Sequence, residues 1–417
     1  MDATQSSHRR RTLFFVSVLH AFTHVYQVAL LPLYLPIQKD FKLQGIEQAT
    51  LLVTVMMIAY FLPSYGMGVL ADRFSRKKLL GWGLAFNALG FIGLALAPSY
   101  PMAIATAIAC GLGGSFYHPA ATALVARLYP VGTGKALGLA GIGASVGFFI
   151  GPVYAGWRVQ QTGNWRAPIL ELGILGLVCA GLFAWMAEDD HATAAQHREQ
   201  SRGLRTPMFP TAALWGFFLM ASLCFSLRDF TGSSMGSLGS LFLQHAHQYK
   251  PAETGLAISG IFLASAISNP LFGHLSDSGR HRWTLIALTI AAVLVLLFPH
   301  VPSGAVIPMF LTYGFFFMAS YPMVEAALME SVPDAVRGRV FGLFITIGGF
   351  VGNLSHWLVG RWVEHLGKNA DSPRGYFGIY AVLALLIIIS LLGLKFLHAI
   401  RSSESELPGK STGNPQA

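Results

Sequence analysis

The chain has 417 residues, of which 53% are hydrophobic and only 11% are charged. A soluble globular protein carries about 25% charged residues, so this composition excludes a soluble enzyme with one large core, and its hydrophobic content excludes a disordered chain. The net charge of +9 would suggest a nucleic-acid partner in a soluble protein, but here Lys and Arg lie in short loops between apolar segments, so we predict an integral membrane protein and no nucleic acid.

Twelve apolar segments are long enough to cross the hydrocarbon core of a bilayer, which requires roughly 20 residues. In chain order these spans cover 12–36, 48–70, 79–98, 102–126, 134–157, 167–187, 210–243, 254–275, 282–300, 303–328, 338–362 and 375–398. Span seven is too long for one straight helix. Its Gly- and Ser-rich stretch 231–237 predicts a break or an irregular turn.

The spans fall into two groups of six on either side of one polar segment. We expect an N-terminal bundle over 1–187, a cytoplasmic linker over 188–208, a C-terminal bundle over 209–400 and a disordered cytoplasmic tail over 401–417. Most of the 28 Lys and Arg residues lie in loops on the same side as the N-terminus. Because positive loops stay in the cytoplasm, both termini are predicted to be cytoplasmic.

Two short motifs occur once in each half, at nearly the same offset. A Gly-x-x-x-Asp motif ends span two at Asp72 and span eight at Asp277. Span five opens with GKALGL at 134–139, and span eleven opens with GRVFGL at 338–343. Parallel repeats of this kind are typical of secondary transporters, which bind their substrate between the two halves near the midplane.

The segment 68–78, GVLADRFSRKK, resembles the loop 2–3 signature of the major facilitator superfamily, with Ser75 where that family usually has Gly. The segment 147–156, GFFIGPVYAG, is similar to the span-five signature of antiporters in the family. Segments 20–26 and 115–120 resemble the fosmidomycin-resistance-like and related bacterial efflux branch. The resemblance covers essentially the whole chain. It implies an all-α fold of twelve transmembrane helices in two pseudo-symmetric six-helix bundles, located in the bacterial inner membrane.

The resemblance also implies a cytoplasmic gate. It assigns this role to Gly68, Asp72, Arg73, Arg76, Lys77 and Asp277. Asp72 is expected to pair with an arginine or a helix N-terminus of the other half, and Gly68 is expected to allow close helix approach. The basic side chains also suit anionic lipid headgroups, and an alternative is that they only fix the topology.

Small residues in span five recur every four positions, at Gly143, Gly147 and Gly151. This row predicts close packing against a neighbouring helix, and Pro152 is expected to bend the span locally. Packing alone explains the row, whereas the resemblance adds a role in antiport.

Ionisable residues inside the spans indicate the functional site, because a charge in the membrane is costly unless it is paired or faces water. The candidate substrate and proton-coupling residues are His20, His24 and Gln27 in span one, Tyr117 and His118 in span four, Arg228 and Asp229 in span seven, and Glu325 in span ten. These four spans line the central cavity in the family that the chain resembles.

His20 and His24 lie four residues apart, on one helical face. They could form a proton or substrate site, act as structural histidines, or bind a metal ion. A metal ion would require a third ligand, for which His118 is the candidate. The first interpretation is preferred, so neither a metal nor a cofactor is predicted.

These observations favour a transporter that works by alternating access. The preferred function is proton-coupled export of a small organic compound or drug by a monomer, with protons and membrane lipids as its other partners. The alternative is a proton-coupled importer or facilitator of an organic anion or nutrient. A membrane enzyme or receptor is disfavoured, because the chain has one His-x-x-x-His pair without further histidine clusters and no large polar segment. ATP-driven pumping is disfavoured because no Gly-x-x-x-x-Gly-Lys-Ser/Thr phosphate loop is present.

Overall fold

The computed structural model describes residues 3–130, 132–188, 207–333 and 336–405, without the side chains of 3–6, 69, 72, 73, 134, 404 and 405. Throughout these residues the secondary structure is helical, with no β-strand. The fold expected from the sequence is confirmed as an all-α membrane architecture. Most of the linker predicted over 188–208 and the tail beyond Ser405 lie outside the described residues.

The N-terminal half contains six spans. Span one consists of the helix Ala3–Val28, a 3-10 turn at Leu31–Leu33 and the helix Tyr34–Asp40. The following spans are Ile46–Phe61 with Ser64–Arg73 (two), Arg76–Leu96 (three), Tyr100–Gly114 with Tyr117–Leu128 (four), Thr133–Thr162 (five) and Arg166–Met186 (six).

The C-terminal half also contains six spans. They are Ala212–Ala246 (seven), Pro251–Ser276 (eight), Arg280–Leu297 (nine), Val306–Glu330 (ten), Arg337–Leu366 (eleven) and Phe377–Ser390 with Leu392–Ser405 (twelve). Short 3-10 turns at Phe298–His300, Ser303–Ala305, Gly367–Asp371 and Pro373–Tyr376 connect some of them. The last helix continues to Ser405, so residues 401–405 belong to span twelve and not to the predicted tail.

Eleven spans in the described chain are each long and apolar enough to cross a membrane. Span four is divided at Ser115 and Phe116 into helices of 15 and 12 residues. Span two is interrupted at Leu62 and Pro63, where proline removes a backbone donor. The sequence did not predict either interruption.

The predicted break in span seven is wrong, because Ala212–Ala246 is one continuous helix of 35 residues. Its small residues serve helix contacts instead of a turn. A Cβ added at Gly232 would lie 2.7 Å from Phe317, and one added at Gly239 would lie 2.6 Å from Phe310. An unbroken helix also satisfies its own backbone groups, which a lipid environment requires.

The two halves meet along spans five and eight and along spans two and eleven. We call the end of the molecule that holds the N-terminus the near end, and the opposite end the far end. At the far end, Ile46 N–H donates to Glu364 Oε2 at 2.8 Å, and a Cβ at Gly156 would lie 2.2 Å from the Pro251 carbonyl oxygen. At the near end, a Cβ at Gly138 or Gly273 would meet nothing within 4 Å. The halves are therefore closed together at the far end.

Candidate substrate site

Three histidines from spans one and four form a compact cluster, which we call the histidine triad: His20, His24 and His118. One ligand-capable atom from each lies within 4.8 Å of the others. The ring centroids of His20 and His24 are 4.9 Å apart, and that of His118 lies 5.2 Å from His20. His20 and His24 share one face of span one because they lie four residues apart. His118 lies in the first turn of the second helix of span four.

Hydrogen bonds fix two imidazoles of the triad. His20 Nδ1 lies 2.9 Å from the carbonyl oxygen of Ala140 in span five, and His24 Nδ1 lies 2.9 Å from Gln27 Oε1. Both partner oxygens accept, so each Nδ1 donates the hydrogen, and in the neutral imidazole Nε2 then carries the lone pair. His20 Nε2 is buried without a hydrogen-bond partner.

Aromatic rings surround the triad. Tyr117 stacks on His20 with centroids 4.6 Å apart, and its hydroxyl donates to the Val16 carbonyl oxygen at 2.9 Å. Phe148 of span five stacks on His24 at 4.1 Å and on Phe262 of span eight at 4.4 Å. Phe148 thus connects the triad to the C-terminal half.

A cavity of about 210 Å³ adjoins the triad. A second cavity, of about 380 Å³, lies away from it between spans nine and ten. The lining of the smaller cavity includes His20, His118 and Thr122, together with Leu137 and Ala140. Span five begins at the near end and span four finishes there, so these residues place the cavity between the triad and the near end.

The second cluster lies in the C-terminal half, on spans seven and ten. Arg228 Nη2 and Asp229 Oδ1 form an ion pair at 2.7 Å, although the two residues are adjacent in sequence. The Arg228 guanidinium also lies over the Tyr321 ring at 4.1 Å and donates to the Ser320 carbonyl oxygen at 3.4 Å. Glu325 lies close enough to interact electrostatically with Arg228 and Asp229.

Spans two and eleven connect the two clusters. The Tyr60 ring lies 6.2 Å from His118, and the next residue, Phe61, packs where a Cβ of Gly349 would be. A Cβ at the neighbouring Gly348 would approach Asp229 Oδ2. The structure therefore gathers all eight predicted site residues into two clusters joined by inter-half helix contacts.

The structure describes only part of the predicted gate. The side chains of Asp72 and Arg73 lie outside the described residues, so their pairing stays a prediction. Arg76 is buried in the first turn of span three, next to the partly buried Lys77. Ser75, the departure from the family signature, caps this helix by accepting from Lys78 N–H at 3.2 Å.

The contacts found for two other predicted gate residues lie within their own half. A Cβ at Gly68 would lie 3.9 Å from Pro119, an ordinary van der Waals contact. The role of Gly68 in a closed gate stays a prediction. Asp277 lies 3.2 Å from Arg280, which also binds Glu330 at 2.6 Å. These partners belong to the C-terminal half itself.

The glycine row of span five packs directly on span one. A Cβ at Gly143 would fall 1.9 Å from the Ser17 carbonyl oxygen, and one at Gly147 would fall 2.2 Å from that of Ala21. Gly151 similarly faces Val25 and Val28. The helix continues across Pro152, whose carbonyl oxygen approaches Gly255 of span eight.

A polar network that the sequence analysis missed joins the halves at the far end. The Tyr34 hydroxyl lies 2.7 Å from Ser237 Oγ, which lies 2.6 Å from His356 Nδ1. His356 Nε2 in turn lies 3.1 Å from Asn353 Oδ1. The signal in the sequence was the Asn-x-x-His spacing within apolar span eleven.

Solved structures of transporters share this fold. A bacterial homologue of the human lysosomal transporter Spinster, in an inward-facing and occupied conformation, superimposes with a TM-score of 0.74 at 16% identity, covering 95% of this chain and 97% of the other. The inward-facing and unoccupied conformation gives a TM-score of 0.69 at 15% identity with the same coverage.

Relatives in sequence include proteins named for drug efflux. The multi-drug resistance efflux pump PmrA of Streptococcus pneumoniae serotype 4 is 26% identical over 353 residues, covering 82% of this chain and 84% of PmrA. The multidrug resistance protein MdtH of Shigella dysenteriae serotype 1 is 24% identical over 339 residues, covering 76% of this chain and 79% of MdtH.

The family model of the Major Facilitator Superfamily matches residues 13–355 and 221–415. These matches span both six-helix halves and include both polar clusters. The chain belongs to the major facilitator superfamily.

Proposed function

We propose that this transporter exports a small organic compound or drug in exchange for protons. The observation that carries the proposal is the cluster of the buried Arg228 with the partly buried Asp229 and Glu325 in spans seven and ten. Charged side chains inside the membrane are costly in free energy unless they are paired or face water. The efflux names of relatives at 24% and 26% identity support export as the direction.

Charge counting suggests how this cluster couples to protons. It holds two carboxyl groups and one guanidinium, so a single bound proton makes it electrically neutral. Arg228 binds Asp229 through both Nε and Nη2, whereas Glu325 has no hydrogen-bonded partner among the residues that the structure describes. We propose that Glu325 holds the proton in this conformation, and that protonation of Asp229 releases Arg228 in the opposite one.

The histidine triad with Gln27 and Tyr117 would form the other wall of the substrate site, in the N-terminal half. Phe148 and Phe262 stack between the halves beside it, so separation of the bundles would change the site directly. The complete site lies within one chain, which suits transport by a monomer.

Import of an organic anion is less well supported. Arg228 already uses three of its five N–H donors, with Nε and Nη2 binding Asp229 and Nη1 binding the Ser320 carbonyl oxygen. The positive charge is thus already compensated by a neighbouring carboxylate.

For location, we propose the bacterial inner membrane with both termini in the cytoplasm. The near end is then cytoplasmic, and the closed far end makes this an inward-facing conformation. Asp72 and the neighbouring basic residues would close the cytoplasmic side in the outward-facing state and meet anionic lipids.

Proton exchange can be tested in everted bacterial vesicles whose lumen is acidified by respiration. A pH-sensitive dye reports proton release as antibiotics and cationic dyes are added one at a time. At least one compound should release protons, and Asp229→Asn and Glu325→Gln should each abolish the signal. Glu330→Gln, a matched change at an exposed site of span ten, should leave it intact. Full proton release by both Asp229→Asn and Glu325→Gln, or none with any compound, would contradict proton-coupled export.

A further inference from the structure

The histidine triad has the composition of a transition-metal site. It contains three imidazoles and, among the described residues grouped there, no carboxylate or thiol. Imidazole nitrogen suits Zn²⁺, Cu²⁺ and Ni²⁺, whereas Mg²⁺ and Ca²⁺ require oxygen ligands. Three histidines with one open position also form a known arrangement for zinc in proteins.

The distances are close to those that a metal requires. A tetrahedral ion at about 2.1 Å from each nitrogen separates the ligand atoms by about 3.4 Å. The ligand atoms of the triad already lie within 4.8 Å of one another. Side-chain rotations that move each ring by about an ångström therefore close the site, and span one need not change its backbone.

The hydrogen bonds of the triad prepare two rings for coordination. In metal sites, a ligating histidine usually donates its other N–H to a carbonyl or similar acceptor, which fixes the tautomer. His20 has this arrangement with the Ala140 carbonyl oxygen, and His24 has it with Gln27 Oε1. The lone pair on His20 Nε2 is buried and unpartnered, which is costly unless a ligand satisfies it.

We propose that His20, His24 and His118 bind one divalent transition-metal ion, with Zn²⁺ and Co²⁺ as suitable ions. The adjoining cavity of about 210 Å³, lined by His20 and His118, leaves the fourth position accessible to water or an anionic ligand. Because the three imidazoles are neutral when they coordinate, the bound ion keeps its double charge and favours an anion there. The metal site requires neither export nor proton coupling.

The test uses the purified full-length chain in detergent, carrying an affinity tag without histidines. Co²⁺ is titrated in, because tetrahedral Co²⁺ gives strong visible absorption, and bound metal is counted by elemental analysis after dialysis. We expect one Co²⁺ per chain, displaced by Zn²⁺ and not by Mg²⁺. Each of His20→Ala, His24→Ala and His118→Ala should weaken Co²⁺ binding by more than roughly 100-fold. Loss of a residue that only hydrogen-bonds a metal ligand costs roughly 10- to 100-fold, so a larger loss indicates a direct ligand.

Matched controls separate this site from other histidines and from misfolding. His356→Ala removes another buried intramembrane histidine, and it should retain full Co²⁺ binding. Each variant is checked for a monodisperse gel-filtration peak, and His118→Gln replaces any His118→Ala protein that aggregates. The proposal is overturned if the chain binds no Co²⁺, if the triple alanine variant still binds it, or if the His118 variants bind it as tightly as the unaltered chain. Failure of proton release with intact Co²⁺ binding would reject only the proposed export.

Discussion

At the scale of single residues, Arg228 places a buried charge among apolar helices. Its side chain is 1% exposed, and it donates hydrogen bonds to Asp229 and the Ser320 carbonyl oxygen. An uncompensated charge at this depth is expensive, so Asp229 is required for stability as well as for any transport role.

Removing one member of the pair should therefore cost more than removing both. Arg228→Met should destabilise the protein by up to about 3–5 kcal/mol, because it leaves two neighbouring carboxyl groups without a cation. Asp229→Leu should cost less, because Glu325 lies near enough to ionise and balance Arg228. The double variant should recover most of that loss. Thermal unfolding midpoints in detergent measure all three, and additive losses in the double variant would show that the pair is not coupled.

The sequence predicted these residues because charged side chains stand out in apolar segments. It could not predict that Arg228 and Asp229 pair with each other. Adjacent residues on a helix point about 100° apart, and only the side-chain conformations in the folded structure bring their charged groups together. Tyr34, Ser237 and His356 were missed for a different reason. Uncharged polar residues are common in membrane helices, and only the fold brings these three together.

At the scale of elements, small residues determine how closely the spans approach. Span five contacts span one through backbone carbonyl oxygens, which leaves no room for a methyl group. Span seven packs its glycines against side chains instead, with Gly232 facing Phe317 and Gly239 facing Phe310. The regular spacing of four predicted this role in span five, whereas the less regular stretch of span seven predicted a break.

Two glycines of span five provide a matched test. Gly143→Ala should destabilise the protein by roughly 1–3 kcal/mol, because its Cβ would fall 1.9 Å from the Ser17 carbonyl oxygen. Gly138→Ala on the same helix meets nothing within 4 Å and should be neutral or stabilising by up to about 1 kcal/mol. Thermal midpoints of the two variants are compared, and equal effects would reject the packing account.

The far-end polar network should bias the conformation. Tyr34→Phe removes a hydrogen bond between the halves worth about 0.5–1.5 kcal/mol, so the far-end-open population should rise roughly 2- to 10-fold. The measurement is the maleimide labelling rate of Gln244→Cys, a buried far-end position, in a background without Cys110, Cys179 and Cys224.

Tyr249→Phe is the control for that change. Its hydroxyl donates to the Ser303 carbonyl oxygen at 2.6 Å within one half, so its loss should leave the labelling rate unchanged. A faster rate in both variants, or in neither, would contradict a specific role for Tyr34.

At the scale of the whole molecule, the basic loops predict the orientation in the membrane. Green fluorescent protein fused after Ala417 should fluoresce, and alkaline phosphatase at the same position should be inactive, because the C-terminus is proposed to be cytoplasmic. Fusion after Gln44, in the first far-end loop, should give the opposite pair of results. Matching reporter activities at both positions would contradict the proposed topology.

The sequence predicted the whole architecture better than its details. Twelve apolar segments and a repeated motif pair were sufficient for the two six-helix halves. Interruptions in spans two and four were not predictable from proline alone, because spans five, eight and ten continue as helices across Pro152, Pro270 and Pro322. Which end is closed depends on contacts between the halves, and no local pattern contains that information.

The central claim is that the two halves move as bundles that open one end while closing the other. Electron spin–spin distances can test it, with one label pair at the near end (Lys78→Cys and Arg282→Cys) and one at the far end (Lys42→Cys and Lys368→Cys), all exposed positions. Between alkaline and acidic buffer, the near-end distance should shorten as the far-end distance lengthens, and Asp229→Asn should shift both without a pH change. Distances that stay fixed at both ends, or that change in the same direction, would contradict the account.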